Sequence, residues 1–166
     1  MQQVLKSPVT DLLNAHQISF DVLEIPLTED KKPVRHLEEL LSTMGLDPGA
    51  VVRSVLFRGG SDQFFMLALA GGGRADWGIL RKQLGERKLR MAEFDEVSEK
   101  TGYVVGAVPP IALPEDISIL VDDSLNHFEK VVIGSGVLGY AIALKAADLL
   151  TLLTNAVKGD FIKPAE

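Results

Sequence analysis

Cysteine is absent from the 166 residues. That removes disulfides, thiol nucleophiles and cysteine-bound metals together. The chain also lacks any apolar run near the ~18 residues that a membrane-spanning helix needs. Its first residues, MQQVLKSPVTDLL, hold no long apolar block of the kind that marks a secretion signal. Histidine is scarce: His16, His36 and His127 stand far apart, with no H-x-x-H or H-E-x-x-H spacing. No metal site is expected from them, and no cofactor. Positive charge is in deficit, with a net charge of −6. A broad, non-specific nucleic-acid surface is therefore disfavoured, although a small basic rim around one strand end is compatible with it. What remains suits a cytoplasmic protein without membrane contact.

Hydrophobic residues make up 46% of the chain and charged residues 24%. That is the balance of an ordinary globular chain. Its length suits one domain over residues 1–166 with a core of normal size. No internal repeat, low-complexity segment or linker divides it. Helical and strand patterns mix without strict βαβ alternation, which points to a mixed α+β domain.

The stretch TGYVVGAVPP, residues 101–110, is expected to organise the fold. Gly102 stands where a left-handed residue would close a helix over 93–101. Gly106 allows a close backbone approach, and Pro109 and Pro110 fix two φ angles and remove two donors. Such a loop can present the backbone groups of Gly106, Ala107 and Val108 to a ligand with little ordering cost. Equally, it is a plain Gly/Pro connection.

In chain order, Ser7 and Pro8 cap and open a first helix with Val9, Leu12 and Leu13 inward. Residues 18–25 alternate as a half-buried strand. A polar loop over 26–33 precedes a helix bearing Val34, Leu37, Leu40, Leu41 and Met44, closed by Gly45; Asp47 and Pro48 then start a single turn. Residues 51–57 and 64–70 form a hairpin across Arg58-Gly59-Gly60-Ser61-Asp62. A helix begins near Asp76 with Trp77, Leu80 and Leu84 on one face. Short strands are expected at 89–91, 117–121, 130–133 and 157–162, and a helix at 146–153.

Four places carry candidate chemistry. Gly134-Ser135-Gly136-Val137-Leu138-Gly139 has G-x-G-x-x-G spacing after a strand, with Asp160 where a ribose-binding acid would stand. It reads equally as a hairpin turn, because Tyr140, Ile142 and Leu144 alternate. Residues 71–74 before a helix can bind an anion, but no Gly-Lys-Ser/Thr follows, so a Walker site is excluded. Asp122-Asp123-Ser124 is a metal or base candidate, and also an ordinary cap. No G-x-S-x-G elbow supports a serine hydrolase. Arg53 is the odd residue in the apolar strand VVRSVLF. It either faces solvent or holds an anion or carbonyl oxygen, for which its fixed charge and several donors suit it.

Three pieces taken together resemble the YbaK family, a stand-alone relative of the editing domain of bacterial prolyl-tRNA synthetases. They are the strand 51–57 with its cation, the TGYVVGAVPP loop, and the strand–glycine turn–strand block over 131–144 followed by Asp148-Leu149. The resemblance runs from the Ser7 helix to about Leu153, and its most specific motif is G-x-x-x-P from Gly106 to Pro110. It implies one α/β (mixed α+β) domain with a largely antiparallel, barrel-like sheet flanked by helices. It implies hydrolysis of an aminoacyl ester at the 3′ end of mischarged tRNA, in trans, with a synthetase as a further partner. It turns the glycine run into a hairpin and pocket wall. Arg53 becomes the catalytic cation, and Gly106, Ala107, Val108, Pro109, Pro110, Gly134, Ser135 and Gly136 become the substrate-binding backbone of a polar-lined pocket. The chain departs from the family pattern in four places. Arg53 replaces the family lysine. Ile25 and Ala141 stand near positions that carry an aromatic and an acid in the cysteinyl-tRNA branch. Val137 and Leu138 replace basic residues. A non-catalytic module that binds tRNA ends, a synthetase or an amino-acid-like ligand is the alternative.

Overall fold

A computed structural model describes residues 5–25, 41–42, 45–60, 62–71, 74–105 and 107–163. The expected loop over 26–33, most of the helix that follows it, and Gly72, Gly73 and Gly106 lie outside these residues.

Helix α1, Pro8–Ala15, starts where the cap pattern placed it. Ser7 Oγ accepts from the Thr10 amide and Thr10 Oγ1 accepts from the Ser7 amide, so two helix-start donors are satisfied reciprocally. Strand β1, Phe20–Glu24, follows, and a 3₁₀ turn at Pro48–Ala50 leads into β2, Arg53–Gly59. Next come β3, Phe64–Leu69, the two-residue β4, Arg74–Ala75, and helix α2, Trp77–Leu84. Strand β5, Leu89–Met91, helix α3, Phe94–Thr101, and β6, Ser118–Asp122, complete the middle. The last third holds β7, Lys130–Gly134, β8, Tyr140–Lys145, α4, Ala146–Leu152, and the short strands β9, Val157–Gly159, and β10, Ile162–Lys163.

Strands β5-β2-β3-β6-β9 form a mixed sheet, β1-β8-β7 an antiparallel one, and β10-β4 a small ribbon. Five of the strand pairings are antiparallel and two, β3 with β6 and β6 with β9, are parallel. One parallel bridge, Val51 to Val132, joins the two large sheets. The sheet is thus not closed into a barrel. Among the described residues, no helix is long and apolar enough to cross a membrane.

The central strand β3 is buried on both faces, as its unbroken apolar run requires. Phe65, Leu67 and Leu69 pack with Phe57, Leu80 and Phe161 under α2, where Trp77 meets Phe57 edge-on at 5.0 Å. On the other side Ala68 and Ala70 join the main core with Val9 and Leu13 of α1, Val131, Ile133, Ile142, Leu144 and Leu149. Residues 140–152 are a strand followed by a helix, not one helix, and β7 pairs β8 antiparallel from Lys130–Lys145 to Gly134–Ala141. This overturns the dinucleotide reading, because no helix N-terminus follows the glycine run. The expected strand over 157–162 divides: β9 joins β6 while β10 joins β4. Between them, the Asp122 carboxylate accepts the Phe161 amide at 2.7 Å and the Ser124 amide at 2.9 Å. Asp122 is therefore a buried cap, and Ser124 Oγ accepts the Ala70 amide.

Helix α3 is anchored by Glu96. Its carboxylate binds Arg90 at 2.7 Å, the Glu93 amide at 2.8 Å and Arg58 at 2.5 Å. Arg90 foremost, then the amide and Arg58, hold its pKa at about 2 against an ordinary 4.5. A carboxyl with a depressed folded pKa stabilises above its unfolded value, and that contribution is lost as pH falls through the folded one. Glu96→Gln is thus expected to destabilise the fold near neutrality, with the difference from wild type shrinking from pH 4.5 towards about 2. Urea unfolding of both proteins across that window checks it, and a constant difference would contradict it.

Candidate functional site

Among the described residues, no strand pairs with the first half of β2 on one edge. At one end, the Val52 amide donates to Val132 O at 2.7 Å; at the other, the Ala92 amide donates to Leu56 O at 2.8 Å. Strand period two sends the Ser54 amide and carbonyl to that same edge, midway between. There a pocket of about 460 Å³ opens. Six parts of the chain line it: residues 51–56 of the β2 region, Met91 and Ala92, Phe94 and Val97 of α3, Val105 and Val108, residues 132–134 of β7, and residues 138–141. Ile25 and Leu41 complete the wall.

The wall is apolar. Among the described lining residues only Arg53, Ser54 and Tyr140 have polar side chains, and none is a carboxylate, imidazole or lysine. The expected polar lining is thereby corrected. Ile25 and Ala141, two of the departing positions, both line the pocket, as does Leu138 but not Val137.

The loop and the glycine turn do meet, through close backbone packing. A Cβ on Gly134 would stand 2.4 Å from Val108 O and 2.9 Å from Ala107 O. The Gly136 amide donates to Ala107 O at 2.9 Å, and at φ +86° a Cβ there would meet the Tyr103 ring. The Tyr103 hydroxyl donates to Ala112 O at 2.7 Å, and its burial raises its pKa. Ser135, fully buried, sets its hydroxyl between Val137 O and Tyr140 O, which share its one proton, and receives the Ser7 hydroxyl on its carbonyl at 2.6 Å. Of the expected site residues, Arg53, Val108 and Gly134 line the pocket. Ala107, Pro109 and Pro110 are buried outside its wall, and Ser135 and Gly136 sit behind it with their groups engaged by the protein.

A family model described as the aminoacyl-tRNA editing domain matches residues 31–152. The chain belongs to this family. The uncharacterized protein YwhH of Bacillus subtilis (strain 168) is 32% identical over 143 residues, covering 86% of this chain and 90% of YwhH. The multifunctional Ser/Thr-tRNA deacylase ProXp-y of Escherichia coli (strain K12) is 31% identical over 94 residues, 56% of either chain. This chain thus aligns to about half the length of that deacylase. Hypothetical protein APE2540, a crystal structure, superposes with TM-score 0.79 at 26% identity, over 95% of this chain and all of that one.

In this editing domain Arg53 is exposed, and its Nη2 donates to Gly71 O at 3.2 Å. Alternation puts its side chain on the face of Val55 and Phe57, the α2 side, at the pocket's margin. Of the expected anion site over 71–74, Gly72 and Gly73 lie outside the described residues; at the start of α2 itself, Asp76 accepts the Gly78 and Ile79 amides at 3.0 and 3.2 Å. Sequence reasoning missed Ser54. Its Oγ is buried without a hydrogen-bond partner. A buried hydroxyl left unmade costs about 1–3 kcal/mol and calls for an explanation. The signal was present, a serine beside the arginine inside an apolar strand.

Proposed function

We propose that this editing domain is an aminoacyl-tRNA deacylase acting in trans in the cytoplasm, with the aminoacyl group in the β2-edge pocket. The observation that carries the reading is the pocket itself: a family member places a strand edge that no described strand pairs, a buried hydroxyl and a cation around one apolar cavity. Water adds to the ester carbonyl carbon and the bond to the ribose oxygen breaks. The ribose hydroxyl takes one proton, and the amino acid leaves as its carboxylate with the other released to solvent. Among the described residues the wall holds no carboxylate, imidazole or lysine, so the contribution read from them is orientation and hydrogen-bond donation to an already reactive ester. Arg53 donates to the carbonyl oxygen as charge develops there. Ser54, through its amide and hydroxyl, holds the aminoacyl group. Val108 and Gly134 contact it, and Ala107, Pro109, Pro110, Ser135 and Gly136 hold those two in place.

The apolar wall suits a small aliphatic side chain. Discrimination against a hydroxylated isostere is modest in such pockets, about 10²-fold. A panel of tRNAs mischarged with aliphatic and hydroxylated amino acids, each run beside an enzyme-free control, tests the reading. Faster release is expected, with an aliphatic member fastest. That no described wall residue is a carboxylate, imidazole or lysine favours a second reading, a module that binds charged ends without cleaving them. Protection of the ester relative to the control would establish that reading instead.

Ser54→Ala separates a substrate role from a structural one. Removing a hydroxyl that has no partner should leave the melting temperature unchanged or raised, since up to about 1–3 kcal/mol of desolvation cost disappears. Deacylation should nevertheless fall. A variant that is both less stable and fully active would show that the hydroxyl serves the fold.

A further inference from the structure

The acidic chain hides a basic face. Between Arg74 and Arg90 stand six cations, Arg74, Arg81, Lys82, Arg87, Lys88 and Arg90, against two acids, Asp76 and Glu86, in a chain of net charge −6. Asp76 caps α2, and the Glu86 side chain lies over Gly59. Arg90 is held by Glu96. The other five cations are exposed, and among the described residues none has an ion-pair partner.

Helix-end electrostatics explains only part of this. Arg81 and Lys82 fall in the last turn of α2, where cations complement the helix dipole. Arg74, Arg87 and Lys88 lie outside the helix. Leu80 faces the sheet, leaving Arg81 and Lys82 outward.

The face adjoins the pocket. Lys88 precedes β5, whose last residue, Met91, lines the pocket. The step from Lys88 to Met91 is three residues of extended chain, roughly 10 Å. Arg53, on the α2 side of β2, lines the pocket too. At the mouth, Met91 is 56% exposed and Phe94 70% exposed. They offer apolar surface on which a base can stack.

We propose that α2 and the turn into β5 form the docking surface for the phosphate backbone of the RNA stem whose charged, unpaired end enters the pocket. This rests on the aminoacyl-tRNA reading above. Exposed cations beside the pocket supply the backbone term of affinity, and the remaining acidic surface repels RNA bound elsewhere.

The test reverses Lys82, Arg87 and Lys88 to glutamate together. Reversal of the exposed Lys6, Lys130 and Lys158 serves as the charge-matched control. Binding of uncharged tRNA is measured across a salt series, which needs no catalysis. The slope of log K against log salt should fall by about 2 or more in the first variant, at ~0.7–0.9 per lost phosphate contact, and much less in the control. Deacylation is then compared on whole aminoacyl-tRNA and on a short aminoacylated oligonucleotide ending in CCA. KM for the whole tRNA should rise with kcat unchanged, while the short substrate is handled as by wild type. Equal slopes and KM values in the two variants would overturn the surface, as would a wild type that does not bind tRNA. A wild type that hydrolyses neither substrate refutes the deacylase reading, and the salt slopes still decide the surface.

Discussion

Arg53→Ala is expected to lower the single-turnover rate of deacylation by about 10²–10³, the usual cost of losing one donor to a developing oxyanion, roughly 2.7–4 kcal/mol. Stability should barely change. Arg53 is exposed, and its hydrogen bond to Gly71 O joins a solvated side chain to a loop. Arg53→Lys keeps the charge and a donor on a narrower head group, and restores the residue that the family resemblance places there. It should retain or raise activity. The geometry makes a competing outcome concrete. Arg53 sits between the pocket and the basic α2 face, so it can also hold a phosphate. In that case Arg53→Ala would raise KM with kcat nearly intact, and the loss would shrink at high salt. A silent pair of substitutions would mean that the side chain serves neither. Single-turnover rates of the three proteins at two salt concentrations separate these results.

The second large effect is structural. Gly134→Val places a side chain where Val108 O, Val108 C and Ala107 O already lie within 2.4–2.9 Å of the Cβ position. These are backbone atoms, so no rotamer change relieves the contact. The 107–110 loop must lift off β7. Overpacking of this kind typically costs about 1–3 kcal/mol, and for a chain of this length each kcal/mol lowers Tm by roughly 2–4 °C. Activity should fall further than stability alone explains, because Val108 and Gly134 line the same pocket. Thermal unfolding together with deacylation below the variant's Tm checks both parts. Unchanged Tm would mean that the loop does not pack on β7 as described.

Much of the architecture was legible in local pattern. Ser7, Asp47 and Asp76 mark turn or helix starts because their side chains accept the first free amides. Gly102 ends α3 at φ +81°. The β2–β3 hairpin and the β7–β8 pair follow from alternation around polar or glycine turns. The division of strands among sheets was not legible. Nothing local in residues 157–163 says that β9 adds to β6 while β10 turns to β4; a buried carboxylate 39 residues away, Asp122, fixes the Phe161 amide between them.

The site was legible in part, for a related reason. Gly106, Pro109 and Pro110 drew attention as a rigid loop. Gly106 lies outside the described residues, and the two prolines are buried against the protein rather than turned to the pocket. Rigidity is visible in a sequence, but the direction in which a rigid loop faces depends on what packs beneath it. The polarity of the wall was hidden because many separate segments supply it, most contributing residues that look like ordinary core. Net charge misled in the same way. A total of −6 conceals the run from Arg74 to Arg90, whose meaning depends on β5 carrying it to the pocket's edge.

On the proposed reading, this editing domain cleaves aminoacyl-tRNA in the β2-edge pocket. Leu138→Trp tests it most directly, since Leu138 lines the pocket from the turn before β8 and belongs to none of the buried clusters. The indole should fill the space meant for the aminoacyl group and leave the fold intact. The measurement is release of amino acid from the best tRNA of the panel, in single turnover, by wild type and Leu138→Trp at equal concentration. Cleavage by wild type, a rate near the enzyme-free control for the variant, and the same melting temperature for both are expected. Equal rates from the two proteins would place the reaction somewhere other than this pocket.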